Sequence, residues 1–127
     1  MRFNEMSPRS KWLGVAALNA FVAVVTGLVA AFVVFHSREV NPNLLMAVGA
    51  SFQMGHALAI IGLCALGWPR DNVAWLFFYG ILLFSGSLYM RALGAAPYVL
   101  GLGAVGALLL LVGWLALAWT ALTNSKP

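Results

Sequence analysis

The stretch AVGALLLLVGWLALA, residues 104–118, contains no charged or strongly polar side chain. Membrane β-strands alternate polar and apolar residues over about ten positions, and this stretch has no such alternation. In lipid, an isolated segment satisfies its own backbone hydrogen bonds only as a helix. The stretch therefore predicts a transmembrane α-helix.

Three further apolar segments are long enough to cross a bilayer core of about 30 Å. Together with the first stretch at its full extent, the predicted spans are residues 12–35, 44–67, 73–93 and 97–122. The connections are short and rich in turn formers, so that sequential helices run antiparallel. Asn43 and Asn72 are suitable caps for the second and third helices. We predict an all-α integral membrane protein in which residues 1–127 form one transmembrane domain of four antiparallel helices.

The overall composition also indicates that lipid is the solvent and the first partner of this chain. Hydrophobic residues make up 63% of the 127 residues and charged residues 8%, against about 45–50% and 25% in soluble domains. The net charge of +4 comes from scattered cations, whereas nucleic-acid binding needs a basic patch. We therefore predict no nucleic-acid partner. The first apolar segment is longer than the apolar region of a signal peptide, about 7–15 residues, and is predicted to be a retained helix.

The distribution of cations predicts the orientation, because cytoplasmic loops carry an excess of Lys and Arg. One side of the predicted topology has five cations and the other has two, which places both termini in the cytoplasm. The five are Arg2, Arg9, Lys11, Arg70 and Lys126, and the two are Arg38 and Arg91.

Polar side chains inside the spans are candidates for function, since they are costly in hydrocarbon. Depths counted from the helix ends at about 1.5 Å per residue bring several of them to similar levels near the midplane. We expect one hydrogen-bonded cluster, which either holds the helices together or binds a ligand. Its predicted members are Gln53, His56, Ser85, Ser87, Tyr89 and Thr26.

Three interpretations of this cluster remain open: packing by interhelical hydrogen bonds, a proton or ion relay through His56, and a ligand or lipid pocket. Packing is favoured because small residues also let helix backbones approach closely. Ser87 fits this role, and so do the predicted helix-packing glycines, which are Gly80, Gly86, Gly106 and Gly113.

Catalysis and cofactor binding find little support in the sequence. The only acidic residues, Glu5, Glu39 and Asp71, lie outside the predicted spans, so no carboxylate serves as a buried base. The two histidines, His36 and His56, differ too much in depth to ligate one haem. We predict no enzyme activity, no cofactor and no metal site, and we expect Cys64 to be a buried, inert thiol.

Two motifs carry a family resemblance. The second helix contains Gln53-Met-Gly-His-Ala-Leu-Ala59, and the third contains Leu83-Phe-Ser-Gly-Ser-Leu-Tyr89. With the glycines of the fourth helix, which leads to Gly113-Trp114, they resemble the YgdD-like family of small four-helix bacterial inner-membrane proteins, a domain-of-unknown-function family. The resemblance covers about residues 44–122. It implies four spans in a bacterial cytoplasmic (inner) membrane, and it implies no particular activity.

From these observations we predict a non-catalytic, multi-pass membrane protein that self-associates or is an accessory subunit of a larger membrane complex. Its partners would be membrane lipid and either copies of itself or other membrane-protein subunits. The alternatives are a small transporter or channel that uses the polar cluster around His56, and a lipid- or quinone-binding scaffold.

Overall fold

The structure, a computed structural model, describes residues 2–67 and 71–123, and four long helices account for most of them. The helices are α1 (Pro8–Phe32), α2 (Pro42–Ala65), α3 (Asp71–Ala92) and α4 (Leu100–Thr123). Each is long and apolar enough to cross a membrane, and no strand occurs in the described ranges. The prediction of an all-α protein with four transmembrane helices is confirmed. Arg70 and Lys126, which contribute to the predicted orientation, lie outside the described residues.

The first helix is shifted from its predicted bounds of 12–35. It starts at Pro8 because Ser7 caps it, accepting a hydrogen bond from the Ser10 amide at 3.2 Å, and because proline suits the first helical position. Hydropathy marks where lipid begins, and the polar first turn extends beyond that point. The helix ends at Phe32, and the amide of the next residue, Val33, closes its last turn.

Asn43 does not cap α2, contrary to the prediction. Asn41 is the cap, and its side chain accepts a hydrogen bond from the Leu44 amide at 3.0 Å. The Asn43 side chain instead donates to the carbonyl oxygens of Ala30 and Val33, at 2.8 and 2.6 Å, and so ties the end of α1 to the start of α2. The prediction for Asn72 is also wrong, because this residue lies within α3.

Two glycines end helices by adopting positive φ, which other residues avoid. Gly67, with φ of 65°, follows α2, and its amide donates to the carbonyl of Cys64 at 3.2 Å. Gly94, with φ of 103°, follows α3, and the next amide, that of Ala95, donates back to the carbonyl of Met90 at 2.9 Å. This second pattern is a Schellman-type stop, and it directs the chain into the one-turn 3-10 helix Pro97–Val99 that precedes α4.

The helices pack mainly in chain order. Among the described residues, extensive contacts join α1 to α2, α2 to α3 and α3 to α4, and no comparable contact closes α4 onto α1. The apolar core lies where α2 and α3 meet their neighbours, around the fully buried side chains of Ile60, Phe77 and Ile81. At one end of this core the indole of Trp12 on α1 packs edge-on against that of Trp75 on α3, with ring centroids 4.8 Å apart.

Candidate functional site

A chain of polar side chains links α1, α2 and α3. The Tyr89 hydroxyl donates to Gln53 Oε1 at 2.7 Å, and Gln53 Nε2 donates to Asn19 Oδ1 at 3.2 Å. Asn19 Nδ2 in turn donates to the carbonyl of Val15 on its own helix at 3.0 Å. Because helical side chains lean toward their own N-terminus, Tyr89 and Gln53 point toward each other on antiparallel helices and bridge a difference in depth.

Two hydroxyl side chains lie close to Tyr89. Thr26 and Ser85 lie beside its hydroxyl, and each donates its own hydroxyl proton to a backbone carbonyl. Ser85 Oγ donates to the carbonyl of Gly49 at 2.7 Å, and Thr26 Oγ1 donates to the carbonyl of Val22 at 2.9 Å. The tyrosine ring lies directly on Gly49, where an added Cβ would be 2.6 Å from Tyr89 Cε1. The absence of a side chain at Gly49 therefore makes room for the tyrosine.

His56 belongs to a different group of side chains. Its Nδ1 lies 2.8 Å from the carbonyl oxygen of Phe52, and its Nε2 lies 3.0 Å from the indole nitrogen of Trp114. Since the carbonyl only accepts and the indole only donates, Nδ1 carries the proton and Nε2 accepts. The imidazole also lies edge-on to the ring of Phe77 at 5.2 Å. Both ring nitrogens of a neutral, buried histidine are therefore satisfied.

The remaining predicted members of the cluster face elsewhere. Ser87 donates to the carbonyl of Phe84 at 2.8 Å and lies against α4, where a Cβ at Gly103 would collide with its Oγ. The structure thus brings Gln53 and Tyr89 together, with Thr26 and Ser85 beside them, and leaves His56 and Ser87 outside. The sequence placed several of the six at similar depth, and depth does not specify which neighbour a side chain faces.

Three of the four predicted packing glycines lie in close helix contacts. Gly80 and Gly106 face each other across α3 and α4, where a Cβ at Gly106 would lie 2.8 Å from the Gly80 carbonyl oxygen. Gly113 lies under the ring of Phe77, 2.8 Å from such a Cβ. Gly86 has no atom of the described residues within 4 Å of its Cβ position, so the prediction of a close helix contact at this residue is wrong within that part of the chain.

These arrangements constrain the chemistry that the interior could perform. A metal ion, a haem iron or a relayed proton would need the Nε2 lone pair of His56, which the Trp114 indole already occupies. Within residues 2–67 and 71–123, no three His, Cys, Asp or Glu side chains lie close enough to hold a metal ion. Cys64 is buried, with its sulfur 3.9 Å from the carbonyl oxygen of Arg9. The polar side chains of the interior thus hydrogen-bond either to a neighbouring helix or to a backbone carbonyl of their own helix.

Sequence reasoning missed two partners inside the spans. Asn19 is a polar residue in the middle of α1, and its cost in lipid was a signal for an interhelical bond. Trp114 lies far from the ends of α4, where an indole N–H needs a partner inside the protein. Both signals were present in the sequence, but only the folded chain identifies Gln53 and His56 as their partners.

An ion pair lies at the end of the bundle where α3 stops. Arg91 Nη2 is 2.9 Å from Glu39 Oε2, and Arg91 Nη1 donates to the Ala95 carbonyl at 2.9 Å. The arginine side chain is 9% exposed and that of the glutamate 72%. Arg91, whose charge was counted toward the predicted orientation, therefore fastens the α1–α2 loop to the turn after α3.

The outward face of α2 differs in character from the other lipid-facing surfaces. Between residues 47 and 65 this face follows a three- and four-residue spacing with Leu58 as its one large residue, while Leu44 and Phe52 are large and exposed elsewhere on α2. An added Cβ at Gly55 or Gly62 would meet no atom within 4 Å. We call this surface the small-residue face of α2, and it consists of Ala47, Ser51, Gly55, Leu58, Gly62 and Ala65.

Outward positions on α1 and α4 carry bulky side chains instead. Leu18 and Phe21 on α1 are 67% and 66% exposed, and Leu115 and Trp119 on α4 are 70% and 72% exposed. Such side chains suit contact with acyl chains. On α2 the backbone itself lies open, so that another helix could approach it closely.

Comparison with known proteins identifies a family model and several relatives that this chain matches. A family model described as "Protein of unknown function (DUF423)" matches residues 27–107. A UPF0382 membrane protein of Haemophilus influenzae is 36% identical over 118 residues, covering 87% of this chain and 93% of the relative. A UPF0382 membrane protein of Staphylococcus saprophyticus is 34% identical over 105 residues, covering 80% and 88%. The UPF0382 inner membrane protein YgdD of Escherichia coli K12 is 31% identical over 105 residues, covering 78% and 79%. No solved structure matches the chain.

Proposed function

This chain belongs to the DUF423 family, whose relatives are named membrane proteins, and from that premise we propose that it acts without catalysis, by docking α2 against a helix of another membrane subunit. The resemblance to YgdD-like proteins is thereby confirmed. The docked helix belongs to a second copy of this chain or to a larger complex in the bacterial inner membrane. We also propose that both termini of this chain face the cytoplasm, because the distribution of Lys and Arg follows the positive-inside rule.

The small-residue face of α2 carries this proposal. Lipid tails are as apolar as leucine, so helices associate in membranes through close packing and interhelical hydrogen bonds. Gly55 and Gly62 lie seven residues apart, two helical turns, on one face of α2, and the described residues place no atom within 4 Å of their Cβ positions. A partner helix that fits between them replaces loose lipid contacts with close backbone contacts along two turns.

The polarity of this face is also suited to a helix partner. Ser51 Oγ donates to the carbonyl of Ala47 at 2.8 Å, so its hydroxyl is satisfied in lipid before any partner arrives. The same oxygen retains acceptor capacity for a donor from a docked helix. The face therefore tolerates lipid in the free protein and gains contacts when a helix covers it.

A transporter or channel that uses the polar interior has weaker support. Transport through His56 requires a nitrogen free to exchange its proton, and both ring nitrogens are occupied. The acidic residues in the described ranges lie outside the four helices or, for Asp71, at a helix start. The interior hydrogen bonds are of the kind that hold helices together.

The test is to measure association of the full chain with and without side chains on the small-residue face. Purified protein labelled at its N-terminus is reconstituted in lipid vesicles at decreasing protein-to-lipid ratios, and photobleaching steps count the copies in each particle. Gly55→Leu with Gly62→Leu is expected to convert associated particles to monomers. Gly14→Leu is the matched control, because Gly14 is an exposed α1 residue with no atom within 4 Å of its Cβ position.

Docking to a different protein is tested in native membranes. Extraction in several mild detergents should then give a particle much larger than a 13.6 kDa chain, and the double leucine variant should lose that size. The proposal is wrong if the wild-type protein is monomeric both in vesicles and in these extracts, or if Gly14→Leu disrupts association as strongly as the α2 variant does.

A further inference from the structure

A groove with mixed polarity opens beside Trp12, at the end of the bundle where α1 and α3 begin. Its volume is about 380 Å³, and apolar and aromatic side chains form most of its wall. The rings of Trp75 and Phe78 form one side, with centroids 6.1 Å apart, and Val15 continues the wall toward the middle of the membrane. Trp75 is 47% exposed, so the groove is open to lipid.

Two opposite charges line the same groove. Lys11, in the first turn of α1, and Asp71, the first residue of α3, both border it. Lys11 Nζ lies over the ring of Phe3, 5.1 Å from its centroid. The single ion pair among the described residues joins Arg91 to Glu39, so Lys11 and Asp71 do not form an ion pair with each other. The groove thus presents a cation and an anion that are not engaged with each other.

We propose that this groove binds the headgroup of a phosphatidylethanolamine molecule, with the lipid phosphate at Lys11 and the lipid ammonium at Asp71. A zwitterion satisfies both charges at once, whereas an anionic headgroup leaves the carboxylate facing negative charge. One acyl chain then lies along Trp75, Phe78 and Val15, and the rest of the lipid remains in the bilayer. The site is separate from the small-residue face of α2, so each proposal can fail without the other.

The depth and chemistry of the groove suit this ligand. Tryptophan favours the headgroup level of membranes, and Trp12 and Trp75 both border the groove. A primary ammonium donates up to three hydrogen bonds, and a carboxylate accepts them as charge-assisted bonds. A quaternary choline headgroup carries the same charge but has no N–H to donate. The groove is therefore expected to distinguish ethanolamine from choline through Asp71.

The experiment measures lipid binding to the detergent-solubilised full chain by native mass spectrometry. Phosphatidylethanolamine, phosphatidylcholine and phosphatidylglycerol with identical acyl chains are titrated separately. The wild-type protein is expected to bind the ethanolamine lipid about ten- to a hundredfold more tightly than the other two, as one charge-assisted hydrogen bond implies. Asp71→Asn should remove this preference, and Lys11→Gln should weaken binding of all three lipids because all carry the phosphate.

Arg38→Gln serves as the control, since it removes a cation from the opposite end of the bundle, in an exposed loop. Gly55→Leu is expected to leave lipid selectivity unchanged, which separates this site from α2 docking. Equal binding of the three lipids, a preference for phosphatidylglycerol, or an ethanolamine preference that survives Asp71→Asn would each overturn the proposal. All variants change exposed or half-buried side chains, and circular dichroism verifies that the helices are retained.

Discussion

Replacing Gly106 with alanine is expected to force α3 and α4 apart. The added Cβ would collide with the amide nitrogen of Phe84, and it would lie 2.8 Å from the carbonyl oxygen of Gly80 and 2.9 Å from the Cβ of Leu83. Two of these atoms belong to the α3 backbone, so no side-chain rotation relieves the contact. The helices must separate or slide instead.

The size of the effect follows from these distances. Carbon and oxygen atoms in close helix contacts lie about 3.3–3.6 Å apart, so the carbonyl contact alone requires a local separation of about 0.5 Å. A radial gap of about 0.5–1 Å forfeits a quarter to a half of the dispersion energy of each contact it opens. Overpacked interiors lose about 1–3 kcal/mol. We therefore expect Gly106→Ala to lower the free energy of unfolding by about 2 kcal/mol relative to its control.

The control is Gly101→Ala on the same helix. A Cβ at Gly101 would meet no atom within 4 Å, and both variants gain helix propensity from alanine. Unfolding is followed by circular dichroism and tryptophan fluorescence while sodium dodecyl sulfate is titrated into mild mixed micelles. If the two variants unfold at the same detergent fraction, the close approach of α3 and α4 at Gly106 does not govern stability, and the reasoning is refuted.

Two further changes test the polar contacts between helices. Tyr89→Phe removes the hydroxyl that donates to Gln53 and is expected to lower the free energy of unfolding by about 0.6–2 kcal/mol in the same assay. Tyr79→Phe, the control, alters a 48% exposed ring and should lower it by less. Equal losses of unfolding free energy in the two variants would contradict the bond between Tyr89 and Gln53. In the wild-type protein the indole N–H of Trp114, bonded to His56, should exchange with deuterated water more slowly than that of the exposed Trp119. Equal exchange rates in an NMR measurement would show that the bond is not maintained.

Helix number and type were accessible from the sequence because length and hydropathy decide them locally. The ends of helices were less accessible, since apolar character reports where lipid lies and capping chemistry decides where a helix starts. At α2, two asparagines lie within three residues, and only Asn43 was predicted as the cap. Asn41 caps the helix, and Asn43 is drawn away to the carbonyls at the end of α1, a tertiary contact that local pattern does not contain.

The polar interior was predictable as a set of residues but not as a set of bonds. Gln53 and His56 share one side of α2, yet Gln53 turns toward α1 and α3 and His56 toward α4. A three-residue spacing separates two side chains by about 60° around a helix, which is enough to face different neighbours. Donor and acceptor inventories add the missing constraint, because an indole N–H such as that of Trp114 pairs only with an acceptor.

The packing of each helix on its neighbour in sequence has a consequence for how the protein is made. Most contacts that stabilise the fold join segments that leave the ribosome one after another, so α1 and α2 can pair before α4 is synthesised. Chains dominated by such local contacts reach their native state quickly, and N-terminal segments fold first during synthesis. Each helix after α1 enters the membrane next to a neighbour on which it packs, and none has to wait for a segment that is distant in the sequence.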